Sequence, residues 1–199
     1  MKGATKYRSI ASLALLSSLA LLNGACGNSL FKVKPAGALP PLSTSAASAN
    51  AGVITFRAAP LLTDEETQEL FEANLQLAGL LPIRLEVVHN GGEAIELKKL
   101  KFRLHDGANS DWKLIFTKAA ISRILKANSV FLYNPNSRKT FEKEFRAYEF
   151  DLKTPITNAE GKRQGILIFQ TSKKEPVASP KELTLTIEGL AQAVSLKLN

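Results

Sequence analysis

The sequence predicts a mainly β domain, an antiparallel β-sandwich with one or two short inserted helices, placed behind an N-terminal export signal. Three observations predict it. From Leu81 to Leu198 apolar residues recur at every second position in short runs, the period of a half-buried strand. Clusters of Gly, Asn, Asp and Pro separate these runs and supply turn chemistry. Helical spacing of apolar residues is clear in two stretches, Thr63 to Leu75 and Lys118 to Ala127.

The chain opens with Met1 to Arg8, which carries Lys2, Lys6 and Arg8 and no acid. Ile10 to Leu22 follows, thirteen residues in which only Ser12, Ser17 and Ser18 are polar. A membrane-spanning helix needs about 20 apolar residues, so the segment reads as a removable signal. It ends in Leu21-Leu22-Asn23-Gly24-Ala25-Cys26-Gly27, and Cys26 is the one cysteine of the 199 residues. Ordinary secretory cleavage after Ala25 would set Asn23 where a small residue is wanted. The run instead resembles the bacterial lipobox: Gly24, Ala25 and Cys26 match, and Asn23 stands where leucine is usual. That resemblance implies that Cys26 becomes the lipidated first residue of an exported chain, periplasmic or cell-surface. The membrane is then a partner through the N-terminal lipid. Gly27, rather than Asp, after the cysteine leans towards an outer membrane.

Loss of residues 1–25 leaves 174 residues, enough for one domain and a tether. It removes three of the 26 Lys and Arg and none of the 18 acids, so the mature charge is +5 rather than +8. A mild basic excess fits an envelope protein or an anionic polymer as partner. Export argues against nucleic acid. With its one cysteine used for lipid, the chain has no intrachain disulfide and no cysteine-cluster metal site. Gly27 to Asn50 holds Pro35, Pro40, Pro41 and the run Ser43 to Ala49. So little bulky apolar surface predicts a flexible tether. As a coil its 24 residues would span about 25–30 Å. The expected division is signal 1–25, lipidated Cys26 and tether 26–50, folded domain 51–199.

Within the domain, Val53-Ile54-Thr55-Phe56 predicts a first strand. Thr63 predicts a helix N-cap, with Asp64, Glu65 and Glu66 in the first turn and Glu66 completing a capping box. Leu81, Ile83, Leu85 and Val87 alternate with Pro82, Arg84, Glu86 and Val88, and Asn90-Gly91-Gly92 predicts a turn. Leu100, Phe102 and Leu104 alternate with Lys99, Lys101 and Arg103. Asp111 to Phe116 predicts a strand with Trp112, Leu114 and Phe116 on one face. A helix over Lys118 to Ala127 turns Ile121, Ile124 and Leu125 to one side. Val130 to Tyr133 reads as a short extended piece, and residues 138–145 fit either a helical turn or a loop. Tyr148, Phe150 and Leu152 read as a strand. Gly165 to Thr171 is apolar on both faces, as in a central, doubly covered strand. Leu183 to Ile187 and Val194 to Leu198 predict the last two strands.

The mature chain resembles uncharacterised bacterial lipoproteins that carry an immunoglobulin-like domain. The carrying residues are Leu81-Pro82-Ile83, Val88-His89-Asn90, Lys101-Phe102-Arg103-Leu104, Gly165 to Phe169 and Leu183-Thr184-Leu185. The resemblance covers about residues 78–198. It implies a secreted, anchored, non-catalytic immunoglobulin-like sandwich, and it brings no functional residues.

No catalytic constellation emerges from the residues. The domain has no Gly-x-Ser-x-Gly elbow and no phosphate loop. His89 and His105 sit at strand ends, read as a hairpin pair too small for a metal site, which needs three or four ligands. No cofactor, metal or catalytic residue is expected. The clearest charge feature is Lys99, Lys101 and Arg103 on one strand face, about 6.6 Å apart. It is either a candidate anion-binding face or a lysine-protected edge. The expected function is a lipid-anchored cell-envelope protein with a non-catalytic binding or scaffolding domain. The alternative is an accessory subunit of a larger envelope complex.

Overall fold

The structure, a computed structural model, describes residues 31–108, 110–130 and 135–199. Cys26 and the export segment lie outside the described residues, as does Phe131–Tyr133 of the expected extended piece. The strands are β1 (Ala47–Ala51), β2 (Ile54–Pro60), β3 (Leu80–His89), β4 (Lys101–His105), β5 (Asp111–Ile115), β6 (Lys162–Gln170), β7 (Thr184–Glu188) and β8 (Val194–Lys197). The helices are α1 (Asp64–Phe71), α2 (Thr117–Ala127) and α3 (Pro135–Arg146). Among the described residues no helix is long and apolar enough to cross a membrane.

All eight strands join one antiparallel sheet in the order β1-β2-β3-β6-β5-β4-β7-β8. The two ends of that order, β1 and β8, come side by side, so the sheet nearly closes on itself. The domain is therefore mainly β and barrel-like, and the expected immunoglobulin-like sandwich is not confirmed. The reason is that period-2 alternation marks one buried strand face. It is the same whether that face lines a sandwich or a barrel interior. Pairing order decides between them, and it is not local.

The strand phases match the expected pattern. Leu81, Ile83, Leu85 and Val87 of β3 face the barrel interior, with Phe56, Phe102, Trp112, Phe150, Phe169 and Leu185 in the same cluster. β6 is covered on both faces: Leu167 and Phe169 point inward, while Ile166 and Ile168 support a second cluster under the helices. In that layer Phe71 meets Phe145 and Tyr148, each at 4.9 Å between ring centroids. The expected capping box at Thr63 and Glu66 is present, and a left-handed Glu72 (φ 52°) ends α1 before Leu75. Residues 138–145 belong to a helix whose apolar side is Phe141 and Phe145.

The tether boundary is corrected. Residues 31–50 lie on the domain rather than standing off from it. Phe31 stacks on Phe141 at 4.9 Å. The Lys34 N–H donates to the Leu70 carbonyl at 2.9 Å, and the Tyr148 hydroxyl donates to the Lys34 carbonyl at 2.6 Å. Leu39 and Leu42 are buried, and Ala47–Ala51 is strand β1 itself. The residues are individually poor in apolar area, but they share hydrogen-bond partners already fixed by the fold. Arg57 donates to the Ser43 carbonyl at 2.7 Å, and Arg84 donates to the Pro40 carbonyl. Beneath this strap Glu86 is 2% exposed, with Arg57 at 2.7 Å and Lys162 at 2.6 Å from its two oxygens.

Candidate functional cleft

Besides the unpaired β1–β8 seam, strand pairing in the barrel wall breaks off beside β5. β5 pairs with β6 only from Lys113 to Ile115, opposite Gln170 to Ile168. β4 pairs with β5 only through Leu104–Trp112 and His105–Asp111. Beyond Ile115 the chain turns into α2, and the lower half of β6 loses its strand neighbour on that side. Residues 148–156 take the place. The Ile166 N–H donates to the Tyr148 carbonyl at 2.7 Å and the Phe150 N–H to the Ile166 carbonyl at 3.1 Å. Phe150 and Ile156 complete the interior cluster. This close approach needs Gly165: a Cβ there would lie 2.6 Å from Phe150 Cα. The expected strand at Tyr148 to Leu152 is thus an extended segment with a single parallel bridge, Glu149 to Ile166.

Between the end of β5 and this segment opens a cleft of about 400 Å³. That lies within the roughly 300–1,000 Å³ of small-ligand sites. Its walls include Leu114, Phe116, Phe150, Leu152, Leu167 and Ile168. Phe116 is 65% exposed, although alternation had set it with Trp112 in the core. It is the residue before α2, where the backbone leaves the strand pleat. Lys118, Arg146 and Lys153 also line the cleft, all three exposed. Among the described residues none of these cations has an acid within ion-pair distance.

The two acids of the cleft are engaged. Thr117, 2% exposed, donates its hydroxyl to Glu149 Oε2 at 2.5 Å. This sets a carboxylate by the first turn of α2, a helix whose N-cap, Phe116, offers no capping side chain. Asp151 Oδ1 accepts from the Lys153 N–H at 2.8 Å and the Thr154 N–H at 3.3 Å. Its carboxyl is held below the ordinary range, first by the Thr154 side chain. Both acids brace the backbone that shapes the cleft, and against their two charges the three cations leave its lining net positive. The cleft offers an apolar floor and a mixed charged lining in which cations outnumber acids.

The residues singled out from the sequence lie elsewhere. Lys101 and Arg103 are exposed on β4, but Lys99 lies in a 3₁₀ turn, Leu97–Lys99, outside the strand. β7 brings Glu188 opposite Lys101, with its carboxylate 2.9 Å from Arg103. An acid therefore sits inside the candidate anion-binding face. His89 and His105 are not hairpin partners, since β3 lies between β2 and β6 and β4 between β5 and β7. His89 Nε2 is 2.9 Å from the Glu93 carbonyl, and His105 Nδ1 is 2.7 Å from Asp111. Among the described residues no group of three His, Cys, Asp or Glu side chains is placed to hold a metal. The cleft itself was missed, and its one local trace was the break in alternation at Phe116-Thr117.

Compared with known proteins, the chain matches no protein-family model, no curated protein and no solved structure.

Proposed function

We propose that this chain is an exported, lipid-anchored cell-envelope protein whose barrel-like domain is a non-catalytic binding module, with the cleft beside β5 and α2 as its binding site. The observation that carries the reading is the cleft: an open, apolar-floored space where strand pairing in the barrel wall breaks off. The anchor rests on Cys26, set directly after the apolar segment. The membrane in question is an outer membrane where the host has one. In the accessory-subunit reading, sheet edges or loops dock into a larger envelope complex; the cleft favours the binding module.

Two measurements test the proposal. Mass spectrometry of the chain extracted from membranes should find a lipid-modified Cys26 at its N-terminus; an unmodified Cys26 would refute the lipid anchor. The uncharged dye Nile red should brighten on the chain freed of residues 1–25 and carrying Cys26→Ser, and Leu152→Trp, which adds bulk at the cleft wall, should remove the effect. Equal brightening with and without Trp at position 152 would show that the cleft is not a binding site.

A further inference from the structure

The cleft carries a ligand class. Its floor is apolar, and its lining includes three exposed cations, Lys118, Arg146 and Lys153. Both carboxylates that line it are tied to backbone or hydroxyl donors. A neutral apolar ligand would leave those cations idle, and a small hydrophilic anion would leave the floor wet. A ligand with a hydrocarbon body and one anionic head satisfies both, because burial of each CH₂ contributes about 0.8 kcal/mol and the head meets solvent-exposed cations of opposite charge. We infer that the cleft takes one hydrocarbon chain of an anionic amphiphile, either a free long-chain carboxylate or a phosphodiester lipid of a membrane.

A second observation points the same way. The exposed face of α3 carries Lys139, Lys143 and Arg146 at i, i+4 and i+7, opposite Phe141 and Phe145 on its buried side. Among the described residues these three also lack acidic partners. The stripe covers about 10 Å of helix at 1.5 Å per residue, and it ends at the cleft through Arg146. It supplies a positive path that guides an anionic head to the mouth. The strap that enters the domain at Phe31 packs on the same helix. Cys26 is five residues earlier, a reach of at most about 18 Å. The inference rests on the proposed binding site, and the anchor would put that site within short range of a bilayer.

The test uses the full chain with Cys26→Ser, followed by calorimetry and amide NMR. The probes are laurate below its micelle concentration, dodecanol as its uncharged counterpart, and phosphatidylglycerol vesicles. Laurate should bind saturably and shift the resonances of Phe116, Leu152 and Leu167, with dodecanol at least tenfold weaker. Lys118→Glu with Lys153→Glu should weaken laurate at least tenfold and leave dodecanol within twofold. Leu152→Trp should abolish both. Competition between vesicles and laurate would assign the bilayer as the source of the ligand. Undiminished laurate binding in their presence would assign the free amphiphile. Equal binding of laurate and dodecanol, lost with Trp at position 152, would overturn the anionic class while sparing the cleft. Binding of neither would overturn both.

Discussion

Gly165→Ala is the sharpest test of how the cleft is built. The strand conformation at Gly165 is open to any residue, so the cost is one of contact. The new methyl would meet Phe150 Cα at 2.6 Å and Phe150 N at 2.8 Å, about 1 Å short of an unstrained carbon contact of roughly 3.5–4.0 Å. Both neighbours are backbone, which cannot rotate away. The 148–150 segment must retreat from β6, which breaks the 2.7 Å and 3.1 Å bonds between Ile166, Tyr148 and Phe150. Two such bonds contribute about 0.5–1.5 kcal/mol each, overpacking costs about 1–3 kcal/mol, and the stiffer unfolded chain returns about 0.4–1 kcal/mol. The net is about 3 kcal/mol of destabilisation. For a domain of this size that corresponds to a fall in Tm of roughly 6–12 °C. Circular dichroism on the Cys26→Ser chain measures it, with Gly37→Ala as control, since a Cβ at Gly37 meets nothing within 4 Å. Hydrogen exchange at the Ile166 amide should accelerate in parallel. A Tm within 2 °C of the parent and unchanged Ile166 protection would refute the account of the gap in the wall.

Phe169 is fully buried in the barrel cluster, and Phe169→Ala should cost about 3–5 kcal/mol, read from the denaturant midpoint. Thr63→Ala removes the capping-box hydroxyl and should cost about 1 kcal/mol, a small but resolvable drop in the same assay. Glu86 responds to acid. Burial pushes its carboxyl up, but the hydrogen bonds and charges of Lys162 and Arg57 outweigh that and hold it below the ordinary range. The folded form therefore binds this proton less readily than the unfolded chain. The stabilisation is present above the unfolded value of about 4.3 and is lost as pH falls through the lower folded value. Glu86→Gln should lower stability at pH 7 by about 1–3 kcal/mol and flatten the acid limb of the stability profile. A parallel limb in both proteins would show that the buried carboxylate is not the titrating group.

The sequence by itself determined what depends on neighbours in the chain. The alternation in Leu81 to Val87 set which side chains enter the core, since successive strand residues point to opposite faces. The capping box at Thr63 and Glu66 set where α1 starts, and the two-faced run at Gly165 to Thr171 marked the strand covered on both sides. Cys26 and its apolar prelude are likewise legible as a line of residues. The tertiary structure alone decided the closure of the sheet, because alternation does not carry the strand order. It also decided the seating of residues 31–50, whose backbone bonds go to Leu70, Arg57 and Tyr148 from distant parts of the chain. The cleft follows from both. β5 ends early, and Gly165 admits Phe150 to the vacant flank of β6. Lys118, Arg146 and Lys153 then line it from α2, α3 and the following segment. No local pattern encodes that shared lining, because it is set by long-range pairing and by where one backbone can approach another.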